Sequence, residues 1–176
     1  MLSFVTQCFL VSCIVVNGLD VNELTRQGRQ MSSEAAAAME TELKENPHDV
    51  SARTTLLAYY FKARYRDQTK AETHRQHILW LVENAPESEV LGLPCGRLDS
   101  ILEAKAFGKA NKLWLKHLDE KGESLSILRN ASQFFTFTDR EKTEELLKRG
   151  ANLAPQDPAW PTLIDNYGWN SSVRNG

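Results

Sequence analysis

His74 and His77 stand three residues apart with Arg75 between them. On a helix this spacing sets both imidazoles on one face, where two neutral rings can ligate a metal ion. His117 and Cys95 are the other residues that could complete such a site. The third ligand is not nearby in the sequence, because Glu72 reads as part of a helix capping box. A small metal-binding helical protein or enzyme using His74, His77 or Cys95 is therefore the alternative reading. A solvated or groove-lining polar face explains the same spacing more simply. Cys95 stands in a Gly/Pro-rich stretch and reads as an inert loop thiol.

The same region is basic. Lys62, Arg64, Arg66, Lys70 and Arg75 interleave with Tyr59, Tyr60 and Tyr65. Cations beside aromatic faces suit an acidic peptide or polyanion, held by ion pairs and cation–π contacts. Arg53, Lys62, Arg66, Arg75, His74 and His77 are the residues expected to carry that contact. Against this stands a solvated helix face with its aromatics turned inward. The acidic segment from Glu34 through Asp49 could also neutralise the region across a hairpin. Trp80 and Trp114 read as packing residues, not ligand anchors.

Asn130-Ala131-Ser132 and Asn170-Ser171-Ser172 match the N-glycosylation acceptor pattern, Asn170 in a polar tail and Asn130 on a helix. The sequence contains no GxSxG, HExxH or GxxxxGK[ST] motif. A non-enzymatic protein without a cofactor is expected. A net charge of −2 over 176 residues gives no general electrostatic case for nucleic acid or an anionic membrane as a partner.

The elements that must position these side chains are helical. Hydrophobic residues are 41% of the chain and charged residues 25%, an ordinary globular mix with a core to bury. Leu56, Leu57, Tyr60 and Phe61 recur at i, i+3, i+4 spacing, as do Ala131, Phe134 and Phe135, and no strand-like alternation stands out. The patterning predicts helices over 20–45, 49–65, 69–84, 98–119 (broken near Gly108), 125–136, 139–152 and 158–167. The segment LGLPCGRLD after Ser88 is predicted to be a loop. Thr69-x-x-Glu72 and Thr138-x-x-Glu141 read as capping boxes.

A local unit recurs. Pro47, Pro86, Gly122 and Pro155 each precede an N-cap residue type by two positions, namely Asp49, Ser88, Ser124 and Asp157. The successive intervals are about 39, 36 and 33 (86 − 47, 122 − 86, 155 − 122), within the range of helical-repeat periods. Leu79-Trp80-Leu81 recurs one such interval later as Leu113-Trp114-Leu115. In the final unit Asp157 is the expected cap. The helix starts at Pro158 or at Pro161, the latter with Trp160 folded back as a plug, and ends at Gly168.

Residues 1–18 differ from the rest. They carry no Asp, Glu, Lys or Arg and are mostly apolar from Leu2 to Val16. That run is short for a bilayer span but suits the apolar region of an export signal, with cleavage after Gly18. The expectation is a secreted or exported protein, extracellular or periplasmic, with no stable membrane span in the mature form. Lipoprotein anchoring at Cys13 is the lesser option, because the apolar run continues past that cysteine. Cleavage would remove Cys8 and Cys13 and leave Cys95 without an intramolecular partner.

Helical hairpins at a period of roughly 34 residues resemble the tetratricopeptide repeat family. Leu56, Leu57 and Tyr60, and Leu128, Ala131 and Phe135, stand for its first-helix stripe. Pro47, Pro86 and Pro155 stand for its closing turns, with Gly122 replacing proline once. Leu81 and Gly150 depart from the small residues the family prefers on second helices. The resemblance covers roughly residues 33–168. It implies an all-α solenoid of antiparallel hairpins over 19–168, a C-terminal tail at 169–176, and a monomer that binds a protein or peptide on a curved surface. The family's basic carboxylate clamp is not matched as a set, although Arg53 and Asn130 lie on first helices.

Overall fold

The computed structural model describes residues 20–172, the side chains of 169–172 excepted. The expected export signal with Cys8 and Cys13, and the Asn170 side chain, lie outside the described residues. The described chain is all helical: α1 (Val21–Gln30), α2 (Ser33–Glu45), α3 (Val50–Ala63), α4 (Gln68–Asn84), α5 (Ala104–Lys121), α6 (Leu125–Phe135), α7 (Arg140–Leu153) and α8 (Ala159–Ser172). Two short 3₁₀ helices, Glu89–Gly92 and Pro94–Gly96, join α4 to the segment before α5. No helix among the described residues is long and apolar enough to cross a membrane.

Chain neighbours pack on one another from α2 through α8, and α1 skips α2 to lie along α3. Gly28 makes that approach close. A Cβ there would collide with the Thr55 carbonyl oxygen and stand 2.9 Å from Ala58 Cβ. The main core joins Leu57, Ile78, Leu81, Trp114, Leu128 and Trp160, and so runs from α3 to α8. A smaller core of Ala36, Leu43, Leu56, Tyr59 and Tyr60 ties α2 to α3.

The expected helix over 20–45 is two helices. Met31 is extended, with φ −65° and ψ 142°. Ser32 Oγ accepts from Ala35 N–H at 3.2 Å to start α2. A serine oxygen that satisfies an orphan N–H begins a new helix more readily than it continues an old one. The two capping boxes are not formed either. Asp67 caps α4 through Thr69 N–H at 2.9 Å, and Asp139 caps α7 through Lys142 N–H at 2.9 Å. A carboxylate one or two positions away outcompetes the threonine hydroxyl, because a charged acceptor bonds an N–H more strongly. Glu72 turns instead to Arg75, at 2.8 Å.

α5 runs unbroken through Gly108, which faces open space, and begins at Ala104, not 98. The segment expected as a loop after Ser88 is the 3₁₀ pair, wedged against α3 and α6 with Val90, Leu91 and Cys95 buried. The two Leu-Trp-Leu triplets are not equivalent. Leu81 and Trp114 are buried, whereas Trp80 is half-buried and Leu115 is 45% exposed. In α8, Asp157 Oδ1 accepts from Ala159 N–H at 2.9 Å and the helix starts there. Pro161 falls in the first turn, where its missing N–H has no intrahelical partner in any case. Trp160 is fully buried, and α8 continues past Gly168.

Candidate functional site

The six residues expected to face a partner separate into a buried network, a surface cleft and Arg75, which lies apart from both. His74, His77 and Arg53 belong to the first. Arg64, which only donates, points Nη1 at His74 Nδ1 at 3.4 Å, so Nε2 carries the hydrogen given to the Cys95 carbonyl at 2.8 Å. Burial, then the Arg64 charge, push the His74 pKa down to about 3. By the same logic Arg53 Nη1 faces His77 Nδ1 at 3.5 Å, and His77 Nε2 donates to Glu40 at 2.9 Å.

Glu40 is the carboxylate of the acidic segment that reaches across. Burial opposes its charge, but the His77 hydrogen bond, with the Tyr60 hydrogen bond and the Arg53 charge, holds its pKa below the usual range. Arg53 also donates twice to the Pro47 carbonyl and lies 3.7 Å over the Trp80 ring. These bonds join α2, α3, α4 and the second 3₁₀ helix. The expectation that His74 and His77 face a partner is therefore corrected: both rings are buried.

Both ring nitrogens of His74 and of His77 therefore face hydrogen-bonding partners. His117 is buried apart from the pair, with Nε2 donating to the Val82 carbonyl at 2.7 Å. Cys95 is a core thiol whose pKa burial pushes up, the reverse of an activated nucleophile. No group of three His, Cys, Asp or Glu suited to a metal ion occurs among the described residues. Arg75 stands elsewhere, paired with Glu72 at 2.8 Å and Glu103 at 3.5 Å. Asn130 is 3% exposed, and its amide donates to the Pro86 and Ser88 carbonyls at 2.9 and 3.0 Å. It fixes the 3₁₀ segment to α6 and is closed to a glycan in the folded chain, which corrects the acceptor expectation at that position.

Lys62 and Arg66 come together in a cleft of about 220 Å³ with Met31, Tyr59, Ala63, Asp67 and Lys70. The α1–α2 break supplies Met31, the last turns of α3 supply Tyr59, Lys62 and Ala63, and the start of α4 supplies Lys70. Lys62 Nζ donates to the Arg29 carbonyl at 3.2 Å, at the negative end of α1. Lys70 Nζ donates to Tyr59 Oη at 3.2 Å and stands 5.3 Å from that ring. Arg66 is exposed and makes no ion pair among the described residues.

The carboxylate at the rim is Asp67. Its Oδ1 accepts from Thr69 Oγ1 at 2.6 Å and Thr69 N–H at 2.9 Å, and these bonds hold its pKa down. With the Oδ1 of that carboxylate turned to the cap, the cleft sets three cations against one anion around an apolar floor. Met31, Ala63 and Asp67 are the members that sequence reasoning missed, and Met31 is the one that a helix break places there. The Ser32–Ser33 pair beside a methionine was the available signal for the break that places it.

Comparison of the chain with family models, with curated proteins and with solved structures found no match in any of the three.

Proposed function

We propose that the protein is a non-enzymatic, exported helical-repeat module that holds an acidic segment of a partner protein in the Met31–Tyr59–Lys62–Arg66–Lys70 cleft. The carrying observation is that three cations gather there against one anion around an apolar floor, with the Oδ1 of that anion turned to a helix cap. Successive packing from α2 to α8 supports a solenoid of the tetratricopeptide type, with the 3₁₀ pair taking the place of one first helix between α3 and α6. The apolar, uncharged residues 1–18 support export. An acidic segment carrying one aliphatic side chain fits the cleft chemistry, with carboxylates on Lys62, Arg66 and Lys70 and the aliphatic group on Met31 and Ala63.

The test is fluorescence anisotropy with a labelled Asp/Glu-rich peptide bearing a central leucine. It binds the protein, weakens as salt rises, and loses affinity by ~tenfold or more on Lys62→Glu/Arg66→Glu. Equal binding of a Lys-rich peptide of the same length, or an unaffected double variant, would sink the proposal.

A further inference from the structure

We infer that the Ile101–Leu102 turn and the exposed lysine stripe of α5 form a peripheral docking face for an anionic lipid bilayer. Two independent features meet there. The first is an apolar tip held outward. Ile101 and Leu102 are 85% and 84% exposed. The turn that presents them is built, because Asp99 Oδ1 accepts from both backbone N–H groups, at 2.8 and 2.7 Å. The Asp99 N–H is in turn bound to Glu103 Oε2 at 2.8 Å. Two adjacent aliphatic side chains on a convex, ordered turn have no neighbour to bury against, and a bilayer accepts such a wedge into its acyl boundary.

The second feature is charge. Lys105, Lys109, Lys112 and Lys116 follow one another at i, i+4, i+7 and i+11, and all four are exposed. At 100° and 1.5 Å per residue they occupy an arc of about 60° and run for about 16 Å along α5. The opposite flank, through Ala106, Ala110, Trp114 and His117, is the buried one. Lys116 pairs with Glu120 at 3.9 Å, whereas Lys109 and Lys112 make no ion pair among the described residues. Glu72 and Glu103 line the depression beside the stripe and share Arg75, and the Asp99 carboxylate is bonded into its own turn, so Lys105 and Lys109 with Arg75 outnumber the two acids there.

Tip and stripe are contiguous, since Leu102, Lys105 and Lys109 line one depression of about 310 Å³. An apolar wedge beside a row of cations is the arrangement by which a protein lies on anionic headgroups with its lysines at the headgroup plane. The overall charge of −2 does not oppose this, because attraction at a surface is set by charges within a Debye length.

The full chain is sedimented with vesicles of phosphatidylserine mixed with phosphatidylcholine, and with phosphatidylcholine alone. Every protein compared carries the same residues 1–19, so differences report on the tip and the stripe. The expected result is a preference for the phosphatidylserine vesicles that salt weakens. Lys109→Glu/Lys112→Glu and, separately, Ile101→Ser/Leu102→Ser each reduce binding by ~tenfold or more. Both variants keep the wild-type circular dichroism spectrum and still bind the acidic peptide of the cleft, so failure here is distinguishable from failure there. Equal binding to the two vesicle types overturns the proposal. So does a tip variant that sediments like the wild type, because the stripe would then be reading charge alone, as on an acidic protein.

Discussion

At the scale of the residue, one substitution has opposite signs at two helical glycines. A Cβ on Gly150 would run into the six-membered ring of Trp160, which is fully buried. The same atom on Gly108 would meet nothing within 4 Å. Gly108→Ala therefore gains the helix propensity difference of about 1 kcal/mol. In Gly150→Ala that gain is outweighed by overpacking, for a net loss of about 1–3 kcal/mol. Urea unfolding midpoints at unchanged slope measure both.

His74 supplies a second prediction. Its folded pKa is depressed to about 3 from 6.5, so the neutral ring contributes stability that is fully present above pH 6.5. As the pH falls below 6.5 the unfolded chain takes up a proton that the folded chain refuses, and up to about 1.4 kcal/mol is lost per pH unit. In His74→Gln the amide can still donate toward Cys95 but does not titrate. Its stability should fall less steeply between pH 6.5 and about 5, above the carboxylate range. Parallel slopes for the two proteins would show that His74 is not the group refusing the proton.

At the scale of the element, the competition between neighbouring cap candidates decides where helices begin. Asp139→Ala removes the oxygen that accepts from Lys142 N–H and should cost about 1 kcal/mol. Thr138→Ala should cost a few tenths, since the Thr138 hydroxyl reaches only the Phe135 carbonyl at 3.4 Å. Thermal midpoints that moved equally for the two variants would return the cap to threonine.

The same competition marks how far the sequence could be read. Apolar stripes at i, i+3, i+4 placed α3, α4, α6 and α7 within a few residues, because each of those helices buries one face and periodicity encodes burial. Asp49 and Asp157 were legible as caps, since each follows the proline of its turn by two residues. The break at Met31–Ser32 was not, because helix formers stand on both sides, Leu24, Arg26 and Gln27 before it and Ala35 through Ala38 after it, and only the side-chain bond to Ala35 N–H ends the ambiguity. In the candidate cleft, Lys62 and Arg66 were legible as a basic cluster. The burial of His74 and His77 was not, because it depends on Arg64, Glu40 and the Cys95 carbonyl, all remote or on the backbone. The 3₁₀ pair was unreadable for a similar reason: the turn leading into it is held at the Pro86 and Ser88 carbonyls by Asn130, more than forty residues later.

At the scale of the whole molecule, the two cores are unequal, and the cleft lies on the weaker one. α2 buries Ala36 and Leu43 and has α3 as its main packing partner, with the Glu40–His77 bond as an added tie to α4. α6 and α7 sit in the large core and bury ten side chains or backbone positions between them, six in one and four in the other. An element that buries few side chains opens before those of the larger core. Native-state hydrogen exchange at low urea should therefore release α2 amides by an opening of lower free energy than the global one, while α6 and α7 amides follow global unfolding. Met31 joins α1 to α2 and lines the cleft, so an occupant bridging Met31 to Lys62, Arg66 and Lys70 ties the weak end to α3 and α4. Saturation with the acidic peptide should then slow exchange in α2 more than in α6. The increase should be lost in Lys62→Glu/Arg66→Glu, since only binding to the closed form can shift the opening. Uniform protection across α2, α6 and α7 without peptide would show instead that the array opens as one unit, and that the cleft is as rigid as the core behind it.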